Sequence, residues 1–113
     1  MLAVGSYTPA TGGRGTGISI VTVDEGGRLR LVSQTAADSP SFLAWWGPTR
    51  TLFAANETAE GEVSSFALTA DGTVTLISSR PSRGGRPCQV AVHPSGRWIV
   101  TSNYAGATFT VIA

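Results

Sequence analysis

Few side chains in this sequence can do chemistry, and their types narrow what that chemistry is. The chain has one histidine (His93), one cysteine (Cys88), no lysine, eight arginines and seven carboxylates. Absent lysine rules out Schiff-base chemistry and a Walker-type phosphate lysine. No Cys or carboxylate stands at metal-ligand spacing around His93, so neither a metal nor another cofactor is expected. Glu57, directly after Asn56, is the best placed carboxylate for acid/base work or for binding a polar ligand. Gln89 is a hydrogen-bond donor at the start of a strand. Arg86, with Arg83 nearby, suits an anion, because guanidinium forms planar, bidentate contacts. Each has a plainer reading: a solvated strand-end carboxylate, a satisfied polar core residue, loop arginines in water. His93 is expected to be an exposed turn residue before Pro94, and Cys88 a small buried one. Gly12-Gly13-Arg14-Gly15-Thr16-Gly17 lacks both the GxGxxG spacing and a following helix, so it reads as a flexible loop rather than a phosphate cradle.

The elements that must position these residues are strands. Short β-branched and apolar runs, each closed by Gly, Pro, Asp or Asn, occupy 2–4, 18–23, 29–32, 42–45, 51–55, 63–68, 74–77, 90–93, 98–101 and 108–112. Period-two alternation shows in Val21/Val23, Leu29/Leu31, Phe66/Leu68, Val74/Leu76 and Val90/Val92. Turns at Glu25-Gly26-Gly27, Ala70-Asp71-Gly72 and Pro94-Ser95-Gly96 tolerate positive φ. No helical periodicity is present. Charged residues are only 13% of the 113, against roughly 25% in an average soluble protein, while apolar residues make up 42%. The arginines are scattered and the net charge is +1, a poor match to nucleic acid. No apolar stretch approaches the roughly 20 residues of a membrane span. The N-terminus lacks the form of a signal peptide and the lone cysteine allows no internal disulfide, so a cytoplasmic location is expected.

The chain repeats itself. Pro40-Ser41-Phe42-Leu43-Ala44-Trp45 followed by Arg50–Asn56 recurs 47 positions on as Pro87-Cys88-Gln89-Val90-Ala91-Val92 followed by Arg97–Asn103. Gly27–Ser33 matches Gly72–Ser78 at an offset of 45. A four-strand unit of about this length is a propeller blade. With strands lettered a to d from the centre outward, residues 1–36 hold b, c and d of one blade. Residues 40–80 hold a whole blade, and 87–113 hold a, b and c of a third. The expectation is an all-β, partial propeller of about two and a half four-stranded antiparallel blades. It is completed by missing blades of the same propeller, and blade faces stay exposed without them. The alternative is a compact ten-strand sandwich or barrel. Tyr7, Glu57 and Tyr104 fall at the same place in the three repeats, at the end of strand b, where they can converge on one mouth of the ring.

The sequence resembles the bacterial lactonase family of seven-bladed propellers, whose named activity is that of 6-phosphogluconolactonase. The resemblance rests on Gly5-Ser6-Tyr7-Thr8 with Gly15-Thr16-Gly17-Ile18, on Asp38–Ala44 with Ala55-Asn56-Glu57, and on Gly85–Arg97 with Asn103-Tyr104-Ala105-Gly106. Together these cover the whole chain but only about the first third of a typical member. The resemblance implies a hydrolase that opens a sugar lactone with water. Glu57 is then the catalytic candidate, and Asn56, Gln89, Arg86, Tyr104 and Tyr7 are the substrate-binding ones. It does not imply that this stretch alone is active. Two departures stand out: members read Pro-Cys-His where Gln89 follows Cys88, and the turn Gly47-Pro48-Thr49 is a degraded copy of Pro94-Ser95-Gly96. Muconate-cycloisomerase-like propellers share the fold. A non-catalytic binding scaffold and an inactive truncated product are the other readings.

Overall fold

The computed structural model describes residues 1–113. Ten strands form in chain order: β1 (Leu2–Gly5), β2 (Gly17–Val23), β3 (Leu29–Ala36), β4 (Pro40–Trp46), β5 (Thr51–Asn56), β6 (Glu62–Leu68), β7 (Val74–Pro81), β8 (Pro87–Val92), β9 (Ile99–Asn103) and β10 (Thr108–Ile112). The only helical pieces are single 3₁₀ turns at Pro9–Thr11 and Gly47–Thr49. All pairings are antiparallel, and they close into three separate sheets, β1-β2-β3, β4-β5-β6-β7 and β8-β9-β10. The inner strand β4 of the middle sheet has β8 on one side and β1 on the other, and the three sheets fan outward from there. That fan excludes the sandwich and the barrel, which would wrap one common interior.

Each gap between sheets has its own core. Between the first and second lie Ile18, Ile20, Leu52, Ala54, Phe66 and Val74. Between the second and third lie Ala55, Val63 and Val90, flanked by Phe53, Ile99 and Ile112. Neighbouring residues of β5, Ala54 and Ala55, thus face opposite gaps, as the period of a strand requires. Alternation in the sequence located the strands but not always their covered side. Ile18 and Ile20 are the buried pair of β2, while Val23, Leu29 and Leu31 stand exposed on the other face of the first sheet.

Irregularities repeat along with the strands. The β4–β5 register skips Ser41 and the β8–β9 register skips Cys88, two bulges 47 residues apart. Irregularities at Ile20/Val21 and Ser65/Phe66 lie 45 apart. A bulge re-aims the extra side chain away from the alternation of its strand. For this reason Cys88 is exposed rather than buried as its residue type suggested, with Sγ 3.6 Å from the Ser102 carbonyl. The degraded turn survives by another route: Arg50 adopts a left-handed φ of 52°, its backbone N–H donates to Gly47 O at 3.1 Å, and its guanidinium sits 5.7 Å from the Trp45 ring centre. Trp46 closes over the next copy of that turn, against Gly96, where a Cβ would come within 2.8 Å of the indole.

Candidate functional site

Three loops meet at one end of the inner strands. The segment after β1 carries Tyr7, the segment after β5 carries Glu57, and the segment between β7 and β8 carries Arg86. Their backbones are tied together before any side chain is considered. Ser39, fully buried with a φ of 40°, accepts from Thr8 N–H at Oγ (3.0 Å) and donates its own N–H to Thr8 Oγ1 (3.1 Å). Its carbonyl accepts from Glu57 N–H at 3.0 Å. Arg86, 47 residues on and also left-handed at 53°, repeats the arrangement: its carbonyl accepts from Tyr104 N–H, and its own N–H donates to Thr58 O, both at 2.9 Å. These are buried or turn-forming backbone groups finding partners in neighbouring loops, which fixes the loops relative to one another.

The glycine-rich stretch belongs to this assembly. Gly15 N–H donates to Tyr7 O at 2.8 Å and Gly13 N–H to Thr8 O at 2.9 Å. A Cβ on Gly13 would stand 2.3 Å from Tyr7 O, so only glycine lets this loop lie so close to the tyrosine backbone. The loop is a brace for Tyr7.

Asn56 is buried, and its amide is fully engaged: Nδ2 donates to Asp38 O at 2.8 Å and Oδ1 accepts from Ser64 Oγ at 2.7 Å. It holds the β3–β4 loop, and with it the ground under Glu57. Asn103 does the same one repeat on, through Ser82 O at 3.2 Å.

On this frame Tyr7, Glu57 and Arg86 line a single cleft of about 500 Å³ together with Ala10, Thr11 and Ala59. Tyr7 Oη donates to Glu57 Oε2 at 2.9 Å, across the gap between sheets, and Ser41 Oγ donates to the same oxygen at 2.6 Å. The Tyr7 phenol is held above its ordinary value of 10.0, first by the hydrogen bond to Glu57 and then by that carboxylate's charge. Arg86 makes no salt bridge and no side-chain hydrogen bond; the chain's single ion pair is the exposed Asp24–Arg28 contact at 3.5 Å. The cleft therefore joins a hydrogen-bonded carboxylate, a phenol and an uncommitted guanidinium. No three His, Cys, Asp or Glu side chains gather anywhere as a metal site would require.

The other candidates lie elsewhere. Gln89 is exposed on the face of the third sheet that no other sheet covers, in register with Ser102 and Phe109. Tyr104 is exposed on the β9–β10 loop and outside the cleft lining. Arg83 borders a separate groove with Arg80 and the end of β10. His93 caps its own turn, with Ser95 N–H donating to Nδ1 at 3.1 Å. Ser41 was missed from sequence. The clue was available: it is the position repeated as Cys88, at the start of an inner strand.

Comparison with known proteins agrees with the fold. The family described as "Lactonase, 7-bladed beta-propeller" matches residues 1–113. Among solved structures, a candidate 6-phosphogluconolactonase of Bacteroides fragilis superposes with a TM-score of 0.85 at 30% identity, over 96% of this chain and 30% of that one. One from Bacteroides uniformis gives the same score, identity and coverage of this chain, over 32% of its own length. The periplasmic gluconolactonase of Pseudomonas aeruginosa, at 24% identity, shares the fold with a TM-score of 0.85 over 33% of its chain. No curated protein sequence matches. This chain thus spans about a third of the length of those structures, and across all of its residues it belongs to the lactonase family of seven-bladed β-propellers.

Proposed function

We propose that residues 1–113 supply one sector of the mouth of a sugar-lactone hydrolase site, of the 6-phosphogluconolactonase type. The observation that carries this reading is the convergence of Tyr7, Glu57 and Arg86, from three separate loops, on one cleft. Glu57 takes a proton from the attacking water as its oxygen adds to the lactone carbonyl carbon. The tetrahedral intermediate then collapses with cleavage of the bond between that carbon and the ring oxygen. The proton passes from Glu57 to the leaving ring oxygen, giving the open sugar acid. Arg86 meets the anionic group of a phosphorylated sugar, for which a free guanidinium is suited. Asn56 supports Glu57 from below. Gln89 and Tyr104 reach substrate only if further blades bring the opposite wall of the mouth to them.

The test is lactone hydrolysis by the 113-residue chain and by any longer product of the same reading frame. Activity in the longer product alone fits a sector of a larger site. Glu57→Gln in the active product should lower kcat by about 10²–10⁴-fold, the usual weight of a positioned general base. Unchanged kinetics would remove Glu57 from the mechanism, and activity in neither protein would favour the non-catalytic scaffold.

A further inference from the structure

Glu57 is gripped at one oxygen only. Ser41 Oγ and Tyr7 Oη both donate to Oε2, at 2.6 and 2.9 Å, and Oε1 takes no hydrogen bond from the protein. The donors come from opposite sides of an intersheet gap, Ser41 from β4 of the same sheet and Tyr7 from the segment after β1. Two donors on one oxygen fix the rotation of the carboxylate and leave the lone pairs of the other to a ligand.

Ser41 reaches Glu57 because it is the bulged residue of β4, skipped in the register between Pro40 and Phe42. A bulge turns a side chain out of the alternation, and bulges of this kind recur beside active sites. The next sheet gives the contrast. Its bulge carries Cys88 in place of Ser41, and Tyr104 stands where Glu57 stands. There the thiol turns to the Ser102 carbonyl instead. A hydroxyl occupies the bulge in the sheet that has the carboxylate, and is missing in the sheet that lacks it. Ser41 Oγ donates to Glu57 Oε2 and also stands close enough to the Tyr7 phenol to act on it, so its hydroxyl belongs to this cluster.

We propose that Ser41, with Tyr7, is a positioning residue for Glu57: it pins Oε2 and presents Oε1 as the atom that accepts a proton from water or from a substrate hydroxyl. The proposal rests on Glu57 acting as the base of the reading above. Tyr7 supplies the cross-sheet half of the grip and Ser41 the local half.

In the active product, Ser41→Ala should lower kcat about tenfold with KM little changed, as expected for one charge-assisted hydrogen bond lost behind the base. Ser41→Thr, which keeps the hydroxyl, should recover most of the rate. On a Glu57→Gln background Ser41→Ala should cost nothing further. If Glu57→Gln itself leaves the rate intact, the functional reading falls. If Glu57→Gln is damaging and Ser41→Ala is not, Ser41 alone falls and the reading stands.

A second measurement decides the geometry without turnover, and also if Ser41→Ala folds poorly or no product is active. The phenol titration of the 113-residue chain, carrying Tyr104→Phe so that Tyr7 alone reports, is followed by tyrosinate absorbance. Glu57 and Cys88 raise the Tyr7 titration, the Ser41 hydroxyl opposes their effect, and Arg86 is the charged group that lines the same cleft. Glu57→Gln should bring the Tyr7 titration down toward its ordinary value; Ser41→Ala, or Ser41→Val as a better-packing substitute, should move it up. A Tyr7 titration that ignores both changes overturns the shared-oxygen grip.

Discussion

The middle sheet and its two flanking sheets carry copies of the same strands in different surroundings. Leu52 of β5 is 3% exposed; Leu2, its counterpart in β1, is 50% exposed. Both pair with the third-last residue of the next strand, Phe66 and Val21 respectively. At the other end, Val63 of β6 is 3% exposed and its counterpart Phe109 of β10 is 74% exposed. Residue type does not separate these pairs, since all four are apolar. What separates them is whether a second sheet lies against that face. A blade is thus half a core, and its stability comes from the neighbour it meets.

The largest test of this comparison sets Phe66 against Phe109. Phe66→Ala empties the core between the first two sheets and should cost about 3–5 kcal/mol. Phe109→Ala removes a ring with no sheet over it and should stay within about 0.5 kcal/mol. Urea unfolding at several protein concentrations measures both. A large cost at Phe109 would show that its face is covered in solution.

Association probes the same faces. On the first sheet Leu2, Val4, Val23, Leu29 and Leu31 share one exposed side, and on the third Phe109 and Val111 do. Contiguous apolar surface of this kind drives association. Leu31→Gln or Phe109→Ser should lower concentration-dependent sedimentation of the chain, while Leu76→Gln, on an outer strand of the middle sheet, should change it less. Equal effects at all three would break the distinction between middle and flanking sheets.

A smaller effect separates the two buried asparagines. Asn56 has both amide atoms satisfied, whereas Asn103 Oδ1 is buried without a donor. Asn56→Ala should cost about 1–3 kcal/mol, and Asn103→Ala less, because an orphaned acceptor leaves with it. Thermal melts of the two variants check the order. The reverse order would mean that the third sheet is the tighter one.

How much of this was legible in the sequence follows from the same physics. Strands and repeat were legible because turn chemistry and apolar runs are local. The turns at Asp24–Arg28 and Thr69–Thr73 even share backbone pairings, with Asp24 N–H donating to Arg28 O and Thr69 N–H to Thr73 O, both at 3.0 Å. The grouping of Tyr7 with Glu57 was legible because repeats place equal positions on one rim. Which face of a strand is covered was not, since Val21/Val23 and Ile18/Ile20 alternate equally well and only the packing of sheets chooses between them. The burial of Cys88 was misread, and Ser41 overlooked, for one cause: a bulge cancels the alternation by which a side chain's direction is read. Gln89 stayed apart from Glu57 because the sheet that carries it also turns it away from the cleft.

The two equivalent hairpin turns offer the finest comparison. Asp24 caps its turn by accepting Arg28 N–H at 2.9 Å. In the middle sheet the same position is Thr69, and the carboxylate has moved to Asp71. Asp71 Oδ1 accepts from the Thr69 hydroxyl and, at 3.1 Å, from Thr73 N–H. These bonds, the Thr69 hydroxyl first, hold the Asp71 carboxyl below its ordinary 3.8. A carboxyl lowered on folding adds stability above its unfolded value and loses it as pH falls through the lower, folded one. The contribution is small, because the turn is fully in water. Lowering pH below 3.8 should therefore loosen the β6–β7 turn by protonating Asp71, and Asp71→Asn should remove that part of the acid dependence while leaving the Asp24 turn as it was. Amide exchange at Thr73, compared between the two proteins across this pH range and corrected for intrinsic rates, reads the effect directly. An identical pH response in both would mean that the threonine, which also accepts Thr73 N–H at 3.1 Å, carries the turn without the carboxylate.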